Sequence, residues 1–187
     1  MLLVQLMLAM LTLLSGGKAK EAYLVVQGER ITVEAATSLG SINCTYTGNR
    51  SGDTLYINKQ TLKGERLVLS LPVKDFGCGN LLLNRDFQRT LKAGNHPLVR
   101  VEVLELTQQT QQLIGTLRLQ LAGKTQVLRG VRFCNQPGQK LSTTLCLSFS
   151  DYELATPNKL GGLVKVEEEL QVKVELLLAQ QSNITFK

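Results

Sequence analysis

Along much of this chain hydrophobic and polar residues alternate one for one. The alternation is strict at residues 99–103 (VRVEV), 116–121 (TLRLQL) and 170–176 (LQVKVEL). A period of two sends successive side chains to opposite faces, so these runs predict strands with one buried and one wetted face. Weaker alternation at 23–26, 31–35, 55–57, 67–71, 127–133 and 141–149 predicts further strands. Turn-forming residues stand between them: Gly28, Gly48, Gly52 with Asp53, Lys63 with Gly64, Ala122 with Gly123, Pro137 with Gly138, and Gly161 with Gly162.

One stretch breaks the pattern. Phe87 and Leu91 are four apart, Asn84 is placed to cap, Gly94 can end a turn, and Pro97 restarts extended chain. A short helix is expected over 84–93, lying across one end of the sheet. Many antiparallel strands and one short helix make an all-β fold, a closed barrel or a sandwich. Alternation does not separate the two. A barrel of about eight strands can be filled by its own side chains or hold one small ligand.

The first fourteen residues are apolar but too short to span a bilayer comfortably, and small residues follow at Ser15, Gly16 and Gly17. They read as a signal peptide over 1–19, leaving one domain over 20–187. Aromatic residues are only 5% and Trp is absent, so the interior must be mainly aliphatic. The net charge is +6, but Lys and Arg are interspersed with acids and no basic run is interleaved with aromatics. That distribution describes a solvated face, and nucleic acid is not expected as a partner.

Chemistry is sparse. The only histidine, His96, precedes Pro97, so any Ser-His or Cys-His device must use it, and no base-orienting partner is evident. Glu167, Glu168 and Glu169 read as an exposed charged turn before a strand. Four cysteines (Cys44, Cys78, Cys134 and Cys146) lack metal-site spacing, and four allow three disulfide pairings. No metal, cofactor or catalytic residue is expected. Asn43, Asn49 and Asn183 begin short N-glycosylation patterns that matter only in a eukaryotic secretory pathway.

Several segments together resemble the YceI-like, polyisoprenoid-binding family. They are 31–38 (ITVEAATS) leading into 42–46 (INCTY), then 71–80 (LPVKDFGCGN) with 84–87 (NRDF), 90–93 (TLKA) and His96-Pro97. The hairpin 115–123 follows, then 149–152 (FSDY) and 159–166 (KLGGLVKV). Ala35, Ala36 and Ile42 depart from the pattern, where glycine, a hydroxyl residue and Phe are expected. The resemblance implies a lipocalin-like antiparallel barrel of about eight strands. It also implies a bacterial envelope protein that holds a long isoprenoid or similar lipid, with no catalytic residues to carry over. Cys44 and Cys78 fall where a subgroup of the family places cysteine, which implies that they are bridged. Cys134 and Cys146 are then expected to pair, both on the outer face by strand parity.

The resulting expectation is a secreted, periplasmic carrier of an apolar small molecule, an isoprenoid or fatty chain. It has no stable membrane span and no reaction, and a homodimer is allowed. The expected ligand-facing residues are Ile31, Val33, Leu69, Phe87, Leu91, Val99, Val101, Val103, Leu117, Leu119, Leu121, Leu145, Leu147, Val172 and Val174. Phe87 and Leu91 would close one mouth. Two rivals stand beside it: an envelope interaction protein with a solid barrel, and a hydrolase or transferase built on His96.

Overall fold

The structure, a computed structural model, describes residues 22–57, 66–109, 112–159 and 164–180. The expected signal peptide, the Lys63-Gly64 and Gly161-Gly162 turns and Asn183 lie outside them. The described strands are β1 (Ala22–Thr37), β2 (Gly40–Ile57), β3 (Val68–Pro72), β4 (Leu98–Gln109), β5 (Gln112–Leu121), β6 (Lys124–Gln136), β7 (Lys140–Ser148), β8 (Asn158–Lys159) and β9 (Val164–Leu178). Among the described residues one α-helix, α1 (Leu81–Thr90), lies between β3 and β4, preceded by a short 3-10 turn at Val73–Asp75. The sheet runs β2-β1-β9-β7-β6-β5-β4-β3, every pairing is antiparallel, and two-residue β8 attaches to β9.

Eight strands in that order curl into a nearly closed barrel, the lipocalin-like fold that the resemblance implied and that the alternation left open between barrel and sandwich. The seam lies between β2 and the chain leaving β3. There Thr45 and Gly77 exchange two backbone hydrogen bonds of 2.9 and 3.0 Å, and Cys44 is disulfide-bonded to Cys78. Two edges that would otherwise present unpaired backbone are thus joined.

Register shifts shape the barrel: at Val26/Gly28 and Ala35/Thr37 in β1, at Val103/Glu105 in β4 and at Gly115/Leu117 between β5 and β6. A bulge inserts a residue and flips the phase of the alternation. In β1 the inward residues are therefore Leu24 and Val26 before the bulge, and Glu29, Ile31, Val33 and Ala35 after it. Gly28 is not a turn but flanks the bulge, whose inserted residue is Gln27, and a Cβ on Gly28 would lie 2.9 Å from the Gly48 carbonyl oxygen. Gly48, Gly52 and Asp53 lie inside β2 for the same reason.

The bulges divide the interior into two storeys. In the lower storey Leu24, Val26, Leu55, Ile57, Leu106, Leu113 and Leu141 are buried, most of them completely, and form a packed floor. Just above it Glu29 is 2% exposed and accepts a 2.7 Å hydrogen bond from Arg50 Nε, while Arg50 Nη1 reaches Asp53 at 2.5 Å. A buried carboxylate needs such a paired cation to offset its desolvation. The upper storey carries α1 across its mouth.

The helix begins three residues earlier than expected. Asn80, not Asn84, is the cap, its side chain accepting from Leu83 N at 2.9 Å. Asn84 is inside the helix and accepts from Cys78 N at 2.7 Å. The turn after α1 passes through Lys92 in the left-handed region, φ 54°, ahead of Gly94. Phe87 stacks on Phe76 (centroids 5.2 Å apart) and Phe76 on Tyr46 (5.4 Å), tying α1 to β2 beside the disulfide.

The second expected bridge is corrected: Cys134 and Cys146 are free, exposed thiols. Both do face outward. However, the tight turn at Pro137–Gln139 sets Cys134 opposite Ser142. Cys146 lies four residues further on, roughly 13 Å along the strand at about 3.3 Å per residue, beyond disulfide reach. Pairing of β6 with β7 stops at Cys134 and Ser142, so nothing draws the two strands together at Cys146.

Candidate functional site: an apolar cavity under the helix

The upper storey is hollow. Its cavity has about 150 Å³ of space open to a water-sized sphere and is walled almost wholly by carbon. Strand register builds the walls in rows. On one side Val33, Val172 and Leu145 stand in line across β1, β9 and β7, with Ile31, Val174 and Thr143 below and Ala35, Leu170 and Leu147 above. On the other side Leu69, Val101 and Leu119 cross β3, β4 and β5, flanked by Leu71 with Val99 and by Val103, Leu117 and Leu128.

Val33, Val101, Leu145, Val172 and Val174 point inward yet remain partly accessible. In a barrel filled by its own side chains such residues would be sealed, as they are in the lower storey. All fifteen residues singled out from the alternation and the helix stand on the cavity wall, Leu121 at the upper rim and Phe87 and Leu91 in the roof. Sequence reasoning missed further wall residues, among them Leu67, Leu71, Phe133, Phe149 and Leu176. Most continue runs already recognised: Leu67 and Leu71 extend the alternation through Leu69, and Leu176 extends that through Val174.

Polar atoms at the cavity are few. Asp86 and Thr90 reach it from α1, and Thr143 is buried in the wall. Asp86 also lies 3.6 Å from Arg89. Polar groups gathered at a mouth above an apolar bore orient a ligand more than they bind it.

A loop over residues 149–157 brings Phe149 and Pro157 to the same rim. One carboxylate holds it. Glu168 accepts from Ser148 Oγ at 2.7 Å, Ser150 N at 2.7 Å and Thr156 Oγ1 at 2.8 Å. Those three hydrogen bonds pull its carboxyl down to about 2. Glu167, Glu168 and Glu169 are thus part of β9 and not a charged turn before it, and Glu168 is a loop clamp. Tyr152 in the same loop is buried, and burial pushes its phenol up to about 12.

His96 packs over the β5–β6 turn. A Cβ at Gly123 would lie 2.7 Å from its ring, so the turn requires glycine there. This contact accounts for the place of His96 without chemistry. Among the described residues no group of three or more His, Cys, Asp or Glu is placed to hold a metal ion, and no helix is long and apolar enough to cross a membrane.

No protein-family model and no curated protein matches the sequence. Solved structures do match the fold. A polyisoprenoid-binding domain from Saccharophagus degradans, implicated in plant cell wall breakdown, superimposes with a TM-score of 0.53. It is 11% identical, and the match covers 84% of this chain and 97% of that one. BcnA of Burkholderia cenocepacia superimposes with a TM-score of 0.52 at 16% identity, over 80% of this chain and 96% of that one. Both span nearly their whole length, so the shared architecture is the entire barrel.

Proposed function

We propose that this protein is a carrier of apolar chains, holding an isoprenoid or fatty chain in the upper storey of its barrel without transforming it. One observation carries the reading: inward aliphatic side chains that, instead of packing on each other, face a common cavity beneath a helix. Its walls offer burial worth about 25 cal/mol per Å² of apolar ligand surface and almost nothing to hydrogen-bond. The superposition on a domain described as polyisoprenoid-binding agrees with this chemistry.

The volume constrains the cargo. About 150 Å³ matches an engineered apolar cavity that accepts a benzene-sized molecule. Such a space takes the end of a slim chain, about one isoprene unit threaded end-on, and a bulky fused-ring body does not fit. The packed floor and the Glu29–Arg50 pair stop the chain below, so cargo enters and leaves at the α1 end. The apolar leader and the disulfide support an oxidising, extracytoplasmic setting, the bacterial periplasm. The solid-barrel rival is disfavoured by the accessible inward valines.

The test is native mass spectrometry of protein purified gently from the cells that make it, followed by organic extraction. A discrete added mass that extracts as a lipid is expected. Val172→Phe, which narrows the bore at mid-height, should lower uptake of offered polyprenol at least about tenfold while the fold persists. A bare mass in the native protein together with no uptake of polyprenyl or fatty chains overturns the reading.

A further inference from the structure

The rim that carries α1 also holds the most exposed large hydrophobic residues among those described. Among the described residues Leu39, Leu81 and Leu82 are 77, 76 and 70% exposed, whereas the other exposed large hydrophobics reach at most 42%. Leu39 is at the tip of the β1–β2 hairpin, and Leu81 and Leu82 form the first turn of α1. All three are at the α1 end of the barrel, since the hairpin tip lies between Ala35 and Ile42 on the cavity wall that α1 covers. Leu81 is three residues beyond Cys78, which is bonded to Cys44, and Leu39 lies five residues, roughly 17 Å of strand, from Cys44.

The helix has two faces. Leu83, Phe87 and Thr90 line the cavity, while Leu81, Leu82, Arg85 and Arg89 are exposed. Its only acid, Asp86, lines the cavity and lies 3.6 Å from Arg89, so the outer face combines leucine with Arg85 and with an Arg89 that is exposed but shares its charge with Asp86. An apolar edge beside cations is the pattern of a helix that lies in the plane of an anionic membrane surface. A protein partner would need matching acids and a shaped apolar groove; a bilayer supplies both requirements over any area.

We propose that the α1 end of the barrel docks on an anionic lipid bilayer, with Leu39, Leu81 and Leu82 at the acyl boundary and Arg85 and Arg89 among the headgroups. The mouth then opens onto the membrane, and a chain passes between bilayer and cavity without crossing water. The inference rests on the carrier reading for this purpose, but docking is measured apart from cargo.

The chain contains no tryptophan, so Leu82→Trp places a single reporter on the proposed surface. Full-length protein is mixed with vesicles of phosphatidylglycerol and phosphatidylcholine in equal parts, or of phosphatidylcholine alone. A blue shift and quenching by brominated acyl chains are expected with the anionic vesicles, weakening as salt rises. Gln136→Trp, at the opposite end of the barrel, should show neither change. Leu39→Ser/Leu81→Ser should weaken the docking read by Leu82→Trp at least about tenfold. Uptake of detergent-dispersed polyprenol by that variant should stay at the parent level. No shift at residue 82, equal shifts at residues 82 and 136, or a shift accompanied by protein dimerisation without vesicles overturns docking. Loss of polyprenol uptake by the parent protein, with docking intact, overturns the carrier reading alone.

Discussion

Removing the seam disulfide should loosen the barrel by an amount the chain itself sets. Cys44 and Cys78 are 34 residues apart, and closing a loop of that size in the unfolded chain is worth about 4 kcal/mol in the chain-entropy account. For a domain of this length each kcal/mol moves the melting midpoint by about 2–4 °C, so Cys44→Ala/Cys78→Ala should melt about 8–16 °C lower. The native barrel should survive, because the Thr45–Gly77 backbone pair and the Tyr46–Phe76–Phe87 stack still join the edges. Circular dichroism melts read the shift, and the parent protein under reductant should move to the same midpoint. Cys134→Ala/Cys146→Ala is the control and should not move it, since both are free and exposed. A seam variant that melts within a degree or two of the parent would refute the idea that the bridge restrains the unfolded chain. A control that falls as far would refute the assignment of Cys134 and Cys146 as free thiols.

Two further predictions concern the rim loop. The depressed Glu168 carboxyl favours the folded state when ionised, so its contribution is complete above about pH 4.5, declines below that and is gone below about 2. An NMR titration of that carboxyl should place its midpoint well below the ordinary glutamate range, and an ordinary midpoint would break the clamp assignment. Tyr152 Oη is buried with no hydrogen-bond partner among the described residues. Tyr152→Phe removes that cost and should raise stability by about 1 kcal/mol in urea titrations; a loss of that size would mean the hydroxyl has a partner.

The legible part of this fold was whatever obeyed one uninterrupted rule. The VRVEV, TLRLQL and LQVKVEL runs are strands at the expected faces, and the wall residues they named stand on the cavity. The readings failed where a local signal has two meanings. Gly28 marks a turn or a bulge, and only pairing with both β2 and β9 sets it beside a bulge. Asn80 and Asn84 both qualify as caps, and Asn84 is instead drawn to Cys78 N. Three adjacent glutamates look like a solvated turn, yet Glu168 is defined by Ser148, Ser150 and Thr156, partners 12 to 20 residues away. Parity set Cys134 and Cys146 on the right face but carries no information about how far along the strands they meet.

Whether the barrel is hollow depends on side-chain size, row by row. In the lower storey the inward positions are mainly leucine and isoleucine, and none is more than 5% exposed. In the upper storey β1, β4 and β9 present valine and alanine at Val33, Ala35, Val99, Val101, Val103, Val172 and Val174. Shorter side chains on three strands leave the axis unfilled. The sign of one double substitution tests this. Val33→Leu/Val172→Leu adds a methylene to each of two residues that stand side by side on the adjacent strands β1 and β9. In a close-packed core, inserting methylenes forces strain costing about 1–3 kcal/mol. Above a cavity the new groups have room, and each buries about 0.8 kcal/mol of apolar surface, so the variant should gain roughly 1–2 kcal/mol in urea titrations. The same change should reduce polyprenol uptake, because the stabilising atoms occupy the bore. Stability and carriage are therefore opposed at these two positions. A variant that loses stability would show that the upper storey is packed after all, and the carrier reading would fall with it.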